Sequence, residues 1–260
     1  EDDYPVAKWI NNNGFYIACH QDLIEDEKNY IVKIFRNYFL ERRIQREKAC
    51  LILLSRGDEK AATDLFDLLP LDAFDEKIFV EASNDTVAPD FYAKQGFTVI
   101  KENAGKGMSL KKAVDSTFCE NIVVLGSDGS NDPKDIDRIL IKLSQANDVV
   151  VASRFLPDGG RTTNRPLSYR SIGNRFFTFL LGIIFGNNIT DCNNLFRGFK
   201  KSTYERLKLS ERGEGALFEM TLLALENNLK VVEVPTYEKP ARAVAHKRNR
   251  ILSAFHFFWI

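Results

Sequence analysis

The chain is poor in the residues from which metal centres and disulfide frameworks are built. Its 260 residues include four Cys and three His. Cys19, Cys50, Cys119 and Cys192 are scattered and form no CxxC pair. That argues against a disulfide scaffold or a zinc ribbon and fits a reducing compartment. His20, His246 and His256 form no HExxH, so a histidine-based metal site is not expected. An excess of charge is missing too. Lys plus Arg and Asp plus Glu stand at 36 each, which argues against a surface that grips nucleic acid as a whole. No apolar run reaches the roughly 20 residues of a membrane-spanning helix. Two shorter runs come nearest, 176–185 (FFTFLLGIIF) and 255–260 (FHFFWI), and the sequence stops inside the second. A membrane-spanning continuation is left open there. No signal peptide is visible, and the start at Glu1 rather than Met fits a fragment or a processed form.

What the sequence does hold is apolar material for a sizeable core, 44% of residues, enough for one large α/β domain or two small ones. The balanced charge hides a local asymmetry. The start is acidic (Glu1, Asp2, Asp3, then Asp22, Glu25, Asp26, Glu27), whereas Arg154, Arg161, Arg165, Arg170 and Arg175 meet only Asp158. Such a strip fits an anionic ligand, because arginine forks bind phosphate oxygens in pairs. Residues 31–48 read as an amphipathic helix with Ile31, Ile34, Phe35 and Tyr38 on one face. Residues 1–49 are expected to be a helical packing appendage with no assigned role.

From residue 49 the pattern changes. Short apolar runs at 50–54 (CLILL), 77–80 (KIFV), 97–100 (FTVI), 121–125 (NIVVL) and 148–152 (DVVVA) read as buried strands. Helical segments at 59–69, 87–95, 106–117 and 133–145 separate them. Strands alternating with helices predict βαβ units and a mostly parallel sheet flanked by helices. Ligands bind beyond the carboxyl ends of such strands. The loops there are polar: Asp58-Glu59, Glu81 to Asp85, Asn103 to Gly107, Ser127 to Asp132, and Ser153-Arg154.

Asp128 follows a buried strand directly and is placed to hold a hard divalent cation on substrate phosphates. Asp132, in Asp-Pro before a helix, reads equally as a helix cap. In Asn103-Ala-Gly-Lys-Gly107 two glycines flank Lys106 between a strand and a helix. They let backbone approach a ligand closely, or they simply make the turn. The P-loop spacing is absent. Glu81 to Thr86 offers carboxylates to ribose hydroxyls or a base edge, or caps a helix. The stretch 176–185 beside the arginines reads as an interfacial helix or as a buried core helix. Asp191 and Glu219 sit among apolar residues and need partners if buried, either an acceptor or a structural ion pair.

In order and spacing, residues 50–258 resemble the family 2 glycosyltransferases, especially the branch with dolichol-phosphate mannosyltransferase and polyprenyl-phosphate glycosyltransferases. Asn103 to Gly107 matches N-x-G-K-G, and Ser153-Arg154 matches G-S-R. Residues 54–59 stand at P-A-x-N-E, 81–86 at V-D-D-G-S-x-D-x-T, and 126–133 at D-x-D-x-Q-N-D-P. Residues 191–200 look like D-T-Q-C-G-F-K-A-F-R, Glu219 and 232–235 like E-M…E-V-P, and Arg242 with Lys247 like R…S-K. The chain departs at Gly126 and Ser130, where the family has Asp and Gln, so Asp128 lacks two expected oxygen partners.

The resemblance implies a GT-A (Rossmann-like) fold over 50–240. It implies a nucleotide-binding half (50–155), an acceptor half (156–240) and a membrane-proximal segment (241–260). Asp58, Glu59, Glu81, Asp85, Lys106 and Asp128 would bind the donor, with Mg²⁺ or Mn²⁺ on Asp128. Asp128, Asp191 and Arg154 would be catalytic. Arg165, Arg170, Arg175, Glu219, Arg242 and Lys247 would serve phosphate and acceptor. The implied partners are a nucleotide sugar, a lipid-phosphate acceptor and the cytoplasmic face of a membrane. The rival expectation is a nucleotide-sugar-binding relative without turnover, and Gly126 and Ser130 are its basis.

Overall fold

The protein is described here from a computed structural model, which covers residues 47–55, 59–81, 89–161, 169–186 and 189–239, with the side chains of 59, 161 and 169–172 left aside. The helix expected at 31–48 falls almost wholly outside these residues.

The elements in chain order are β1 (Ala49–Leu54), α1 (Glu59–Phe66), β2 (Glu76–Glu81), α2 (Pro89–Lys94), β3 (Thr98–Lys101), α3 (Lys106–Asp115), β4 (Asn121–Gly126), α4 (Asp135–Ser144) and β5 (Val149–Ser153). They continue with β6 (Gly160–Arg161), α5 (Tyr169–Phe185), β7 (Arg197–Lys200), α6 (Lys201–Leu207), α7 (Ala216–Glu226), β8 (Val231–Pro235) and β9 (Tyr237–Glu238). Seven strands form one sheet in the order β3-β2-β1-β4-β7-β5-β8, and β6 pairs with β9 in a separate ribbon. The expected five strands are present within a residue or two of their expected bounds. The sheet is parallel except at β7, which runs antiparallel to both neighbours.

Two apolar cores explain why the strands read as continuous hydrophobic runs. Alternate side chains of a strand point to opposite faces, and helices cover both. On one face Cys50, Ile52 and Leu54 pack with Leu110, Val114, Leu217 and Met220. On the other Leu51 and Leu53 pack with Ala62, Leu65, Ile136 and Ile139. The strand ends are level: Leu54 pairs with Val80 on one side and with Gly126 on the other. The loops after β1, β2 and β4 therefore leave from one edge.

Helix α5 is neither of its two expected forms alone. Asn174, Thr178 and Leu181 are buried, while Phe176 (53% exposed), Phe179 (65%), Ile183 (65%) and Ile184 (67%) face outward. No helix among the described residues is long and apolar enough to cross a membrane.

Candidate active site

The turn after β4 is shaped by its own side chains. Asp128 is 3% exposed. Its Oδ1 accepts the Ser130 N–H at 3.1 Å and the Ser130 hydroxyl at 2.6 Å. The reversal passes through Gly129 at φ +66°, a left-handed conformation that glycine takes without strain. Gly126 is the last residue of β4 and lies in the sheet opposite Leu54. Asp132 takes a local role, accepting the Lys134 N–H at 3.1 Å just ahead of α4. The Ser130 carbonyl accepts the Lys239 N–H at 2.8 Å, which ties this turn to the segment after β8.

That same segment reaches a second cluster at the end of β5. Arg154 donates from Nε to Asp191 Oδ2 at 2.7 Å and from Nη2 to Oδ1 at 2.9 Å, a paired fork. Its Nη1 donates to Glu238 at 3.2 Å. The Asp191 side chain is fully buried and that of Arg154 is 12% exposed. Burial opposes the charge on Arg154, but the hydrogen bonds and charge of Asp191, then Glu238, outweigh it and hold the guanidinium above its usual value. Asn174 of α5 donates to Asp191 Oδ1 at 2.7 Å. Glu233 of β8 fixes the approach to Asp191 by accepting the Thr190 N–H (2.9 Å), the Thr190 hydroxyl (2.8 Å) and the Asp191 N–H (2.7 Å). Burial raises the Glu233 carboxyl above its usual value, against the pull of those bonds. The Phe155 ring lies between two arginines, with Arg154 5.6 Å and Arg175 5.2 Å from its centre. An exposed cation in the first half of α5 thereby shares the Phe155 ring with the arginine of the Arg154–Asp191 pair.

At the other end of the sheet edge a cavity of about 500 Å³ is lined by Glu81, Lys101, Glu102, Asn103 and Lys112. Glu81 Oε2 is buried and takes no hydrogen bond among the described residues. It forms an ion pair with Lys101 at 3.5 Å, whose side chain is 81% exposed. Glu102 accepts the Ala104 N–H at 2.8 Å, and that bond leads the causes holding its carboxyl below the usual value.

The Asn103 to Gly107 motif, for which the sequence left a ligand approach and a plain strand-to-helix turn open, packs against the chain's own backbone. A Cβ on Gly107 would sit 2.4 Å from the Glu211 carbonyl, and one on Gly105 2.7 Å from the Arg212 carbonyl. The glycines admit the chain's own backbone. Gly107 and Met108 donate to the carbonyls of Gly213 and Arg212, each at 3.1 Å, and Lys106 pairs with Glu214 at 2.8 Å. Glu219 serves the same loop. It accepts the Ser210 N–H at 3.0 Å, the Ser210 hydroxyl at 2.5 Å and the Glu211 N–H at 2.8 Å.

The structure thus ties the Asp128 turn, through Ser130 and Lys239, and the Arg154–Asp191 pair, through Glu238, to residues 238–239, with Arg175 sharing the Phe155 ring with Arg154, and sets Lys106 and Glu219 in a separate cluster. Asp58, Asp85, Arg165, Arg242 and Lys247 lie outside the described residues. Glu59 and Arg170 are placed only by backbone, at the starts of α1 and α5. Sequence reasoning missed Glu233, Glu238 and Asn174 as partners of the pair. It also missed Arg197, which is fully buried and whose guanidinium burial pushes down to about 10. One signal for Arg197 was present, a lone charge inside the apolar run 195–199 (LFRGF).

Among the described residues no three His, Cys, Asp or Glu side chains are grouped to hold a metal ion. Asp128 offers a single carboxylate, with one oxygen engaged by Ser130. That donor set fits a hard cation taking most of its ligands from phosphate oxygens and water, as Mg²⁺ commonly does, and not a protein cage.

Comparison with known proteins agrees with this fold. Residues 85–208 match the family model described as Glycosyl transferase family 2. The chain is 30% identical over 120 residues to the polyprenol monophosphomannose synthase of Mycolicibacterium smegmatis, covering 44% of this chain and 43% of that protein. Over 120 residues it is also 30% identical to the undecaprenyl-phosphate mannosyltransferase of Micrococcus luteus (44% and 47% covered). Over 147 residues it is 30% identical to the UDP-N-acetylglucosamine–dolichyl-phosphate N-acetylglucosaminyltransferase of Methanococcus voltae (52% and 57%). The chain spans about half the length of the relatives it matches. Among solved structures it resembles glucosyl-3-phosphoglycerate synthase from Mycobacterium tuberculosis in complex with Mn²⁺, UDP and phosphoglyceric acid. The TM-score is 0.60 at 16% identity, covering 84% of this chain and 76% of that one. The fold is therefore GT-A, as the motif order implied.

Proposed function

We propose that the chain, with the family 2 glycosyltransferase domain it carries, moves a sugar from a UDP- or GDP-linked donor to a polyprenyl-phosphate acceptor at the cytoplasmic face of a membrane, with inversion at the anomeric carbon. Helix α5 is the observation that carries the acceptor side. It sets Arg175 on the Phe155 ring shared with Arg154 and, along the same helix, leaves Phe176, Phe179, Ile183 and Ile184 exposed. A cation next to an apolar helix face matches an anionic headgroup on a hydrocarbon chain. The names of the relatives, with polyprenol, undecaprenyl phosphate and dolichyl phosphate as acceptors, support the same class.

In this reading residues 50–155 bind the nucleotide, 156–240 the acceptor, and 241–260 meet the membrane. Glu81, whose buried Oε2 takes no hydrogen bond among the described residues, accepts from a ribose hydroxyl or the base, and Asp58, Glu59, Asp85 and Lys106 complete that side. Asp128 holds Mg²⁺ or Mn²⁺ against the donor diphosphate, where the cation offsets the charge that develops on the leaving group. An acceptor phosphate oxygen is anionic already, so positioning replaces a strong general base. Asp191 holds Arg154 in place. Arg165, Arg170, Arg175, Arg242 and Lys247 draw in the acceptor phosphate.

The test is product formation from UDP- and GDP-sugars with polyprenyl phosphate in vesicles, with and without Mn²⁺. Metal-stimulated transfer from one nucleotide class is expected. Nucleotide binding without transfer to any lipid phosphate would replace this reading by a binding protein that does not turn over. A Phe179→Ser, Ile183→Ser double variant should lose vesicle binding about tenfold or more while nucleotide affinity stays put. Unchanged vesicle binding would remove α5 from the acceptor side.

A further inference from the structure

Two loops of the site are fastened to the same short stretch of α7. The first is the loop of Asp191. Arg197, at the start of β7, spreads its guanidinium over the carbonyls of Asn194 (2.8 Å), Leu217 (3.0 Å) and Cys192 (3.2 Å). Its Nη1 also donates to the Thr221 hydroxyl at 3.2 Å, and that hydroxyl donates to the Cys192 carbonyl at 2.8 Å. Leu217 and Thr221 lie in the first two turns of α7, and Thr221 is fully buried. The second is the Asn103 to Gly107 loop, whose Asn103 lines the 500 Å³ cavity. It reaches α7 through residues 210–214. Gly107 and Met108 bond to Gly213 and Arg212, Lys106 pairs with Glu214, and Glu219 holds Ser210 and Glu211 from between Leu217 and Thr221.

Glu219 and the Arg197–Thr221 pair thus grip one rigid segment from two sides. Packed elements of this kind transmit displacement, because close-packed interiors shift between discrete arrangements rather than deform. We infer that the first two turns of α7 are a bracket setting the spacing between the donor-side loop at 103–107 and the Asp191 loop, with Glu219, Arg197 and Thr221 as positioning residues. The meaning given to the loops rests on the transferase reading; the mechanical link does not.

Backbone hydrogen exchange tests the link without any ligand. Thr221→Val removes the hydroxyl between Arg197 and Cys192. It should raise exchange at Gly107 and Met108, on the far side of the bracket, by roughly tenfold. Glu219→Gln should raise exchange across 192–196 by a similar factor, and Thr221→Ser should restore the wild-type rates. Amides of β1 should be unmoved in each variant. Loosening that stays on the mutated side, or that spreads evenly through β1, overturns the bracket. Titration of the same proteins with UDP and GDP separates the two ideas. A wild-type protein that binds neither nucleotide sinks the transferase reading, while the ligand-free rates still decide the bracket.

Discussion

The two ends of the sheet edge handle polar groups in opposite ways. Around Asp191 the protein supplies the partners itself: Arg154 and Asn174 donate to a carboxylate that has no solvent exposure, Glu233 accepts the Asp191 N–H, and Glu238 takes the free side of Arg154. Around Glu81 a buried oxygen in the wall of a cavity takes no hydrogen bond among the described residues and has only a long ion pair, 3.5 Å, with the exposed Lys101. A buried acceptor that lacks a hydrogen bond costs up to about 1–3 kcal/mol, part of which the Lys101 ion pair offsets and the rest of which a donor group on a ligand would remove. The first end is paired within the protein; the second keeps an acceptor that a ligand could use. In the proposed reaction the fixed end would orient phosphate and the open end would select the nucleoside.

That contrast can be broken by substitution. Asp191→Asn has the largest expected effect. It leaves Arg154 buried with Glu238 as its remaining carboxylate, and about 3–5 kcal/mol of folding stability should be lost in a urea titration. A loss below about 1 kcal/mol would mean that the cluster is not the fixed end. Glu81→Gln should do the reverse. Folding stability should hold within about 0.5 kcal/mol. Calorimetric affinity for the preferred nucleotide should fall about ten- to a hundredfold, the worth of a hydrogen bond to a charged group. Equal affinity in variant and wild type would close the open end.

The smallest effect is a slope. The Glu233 carboxyl is raised above its usual 4.5. A raised acid binds its proton more tightly in the folded state than in the unfolded one. Its contribution is therefore whole below the unfolded value and is lost as pH rises through the folded value. Glu233→Gln should flatten the fall in stability on that rise by at most about 1.4 kcal/mol per pH unit. An identical slope in the variant would take Glu233 out of the balance.

Strands β1 to β5 were legible because each is an apolar run covered on both faces, and burial of that kind leaves its mark on neighbouring residues. Helix α1 ends at Phe66 rather than at residue 69, and a turn leads into Pro70, which cannot continue a helix. Strand β7 was not legible. Arg197, Gly198 and Lys200 dilute its apolar signal, and Arg197 is tolerated there only because carbonyls from Cys192 and Leu217 reach it. The site divides in the same way. Asp128, Arg154 and Asp191 stand out as charges at strand ends or among apolar residues. Their partners do not, since Glu233 is 42 residues from Asp191 and Glu238 is 84 from Arg154. The glycines at 105 and 107 were noticed for the right property, room for close approach, but what approaches is the chain's own 211–213 backbone.

Because β7 lies between β4 and β5, the order of synthesis and the order of the sheet disagree. Strands β1 to β4 can pair with one another as they leave the ribosome. Strand β5 cannot, for both of its neighbours, β7 and β8, are translated later. Until residues 197–200 emerge, the Val149–Ser153 segment, three valines and an alanine before its serine, has two open edges. The nascent chain is most exposed to mispairing, and to capture by chaperones, during that interval of elongation.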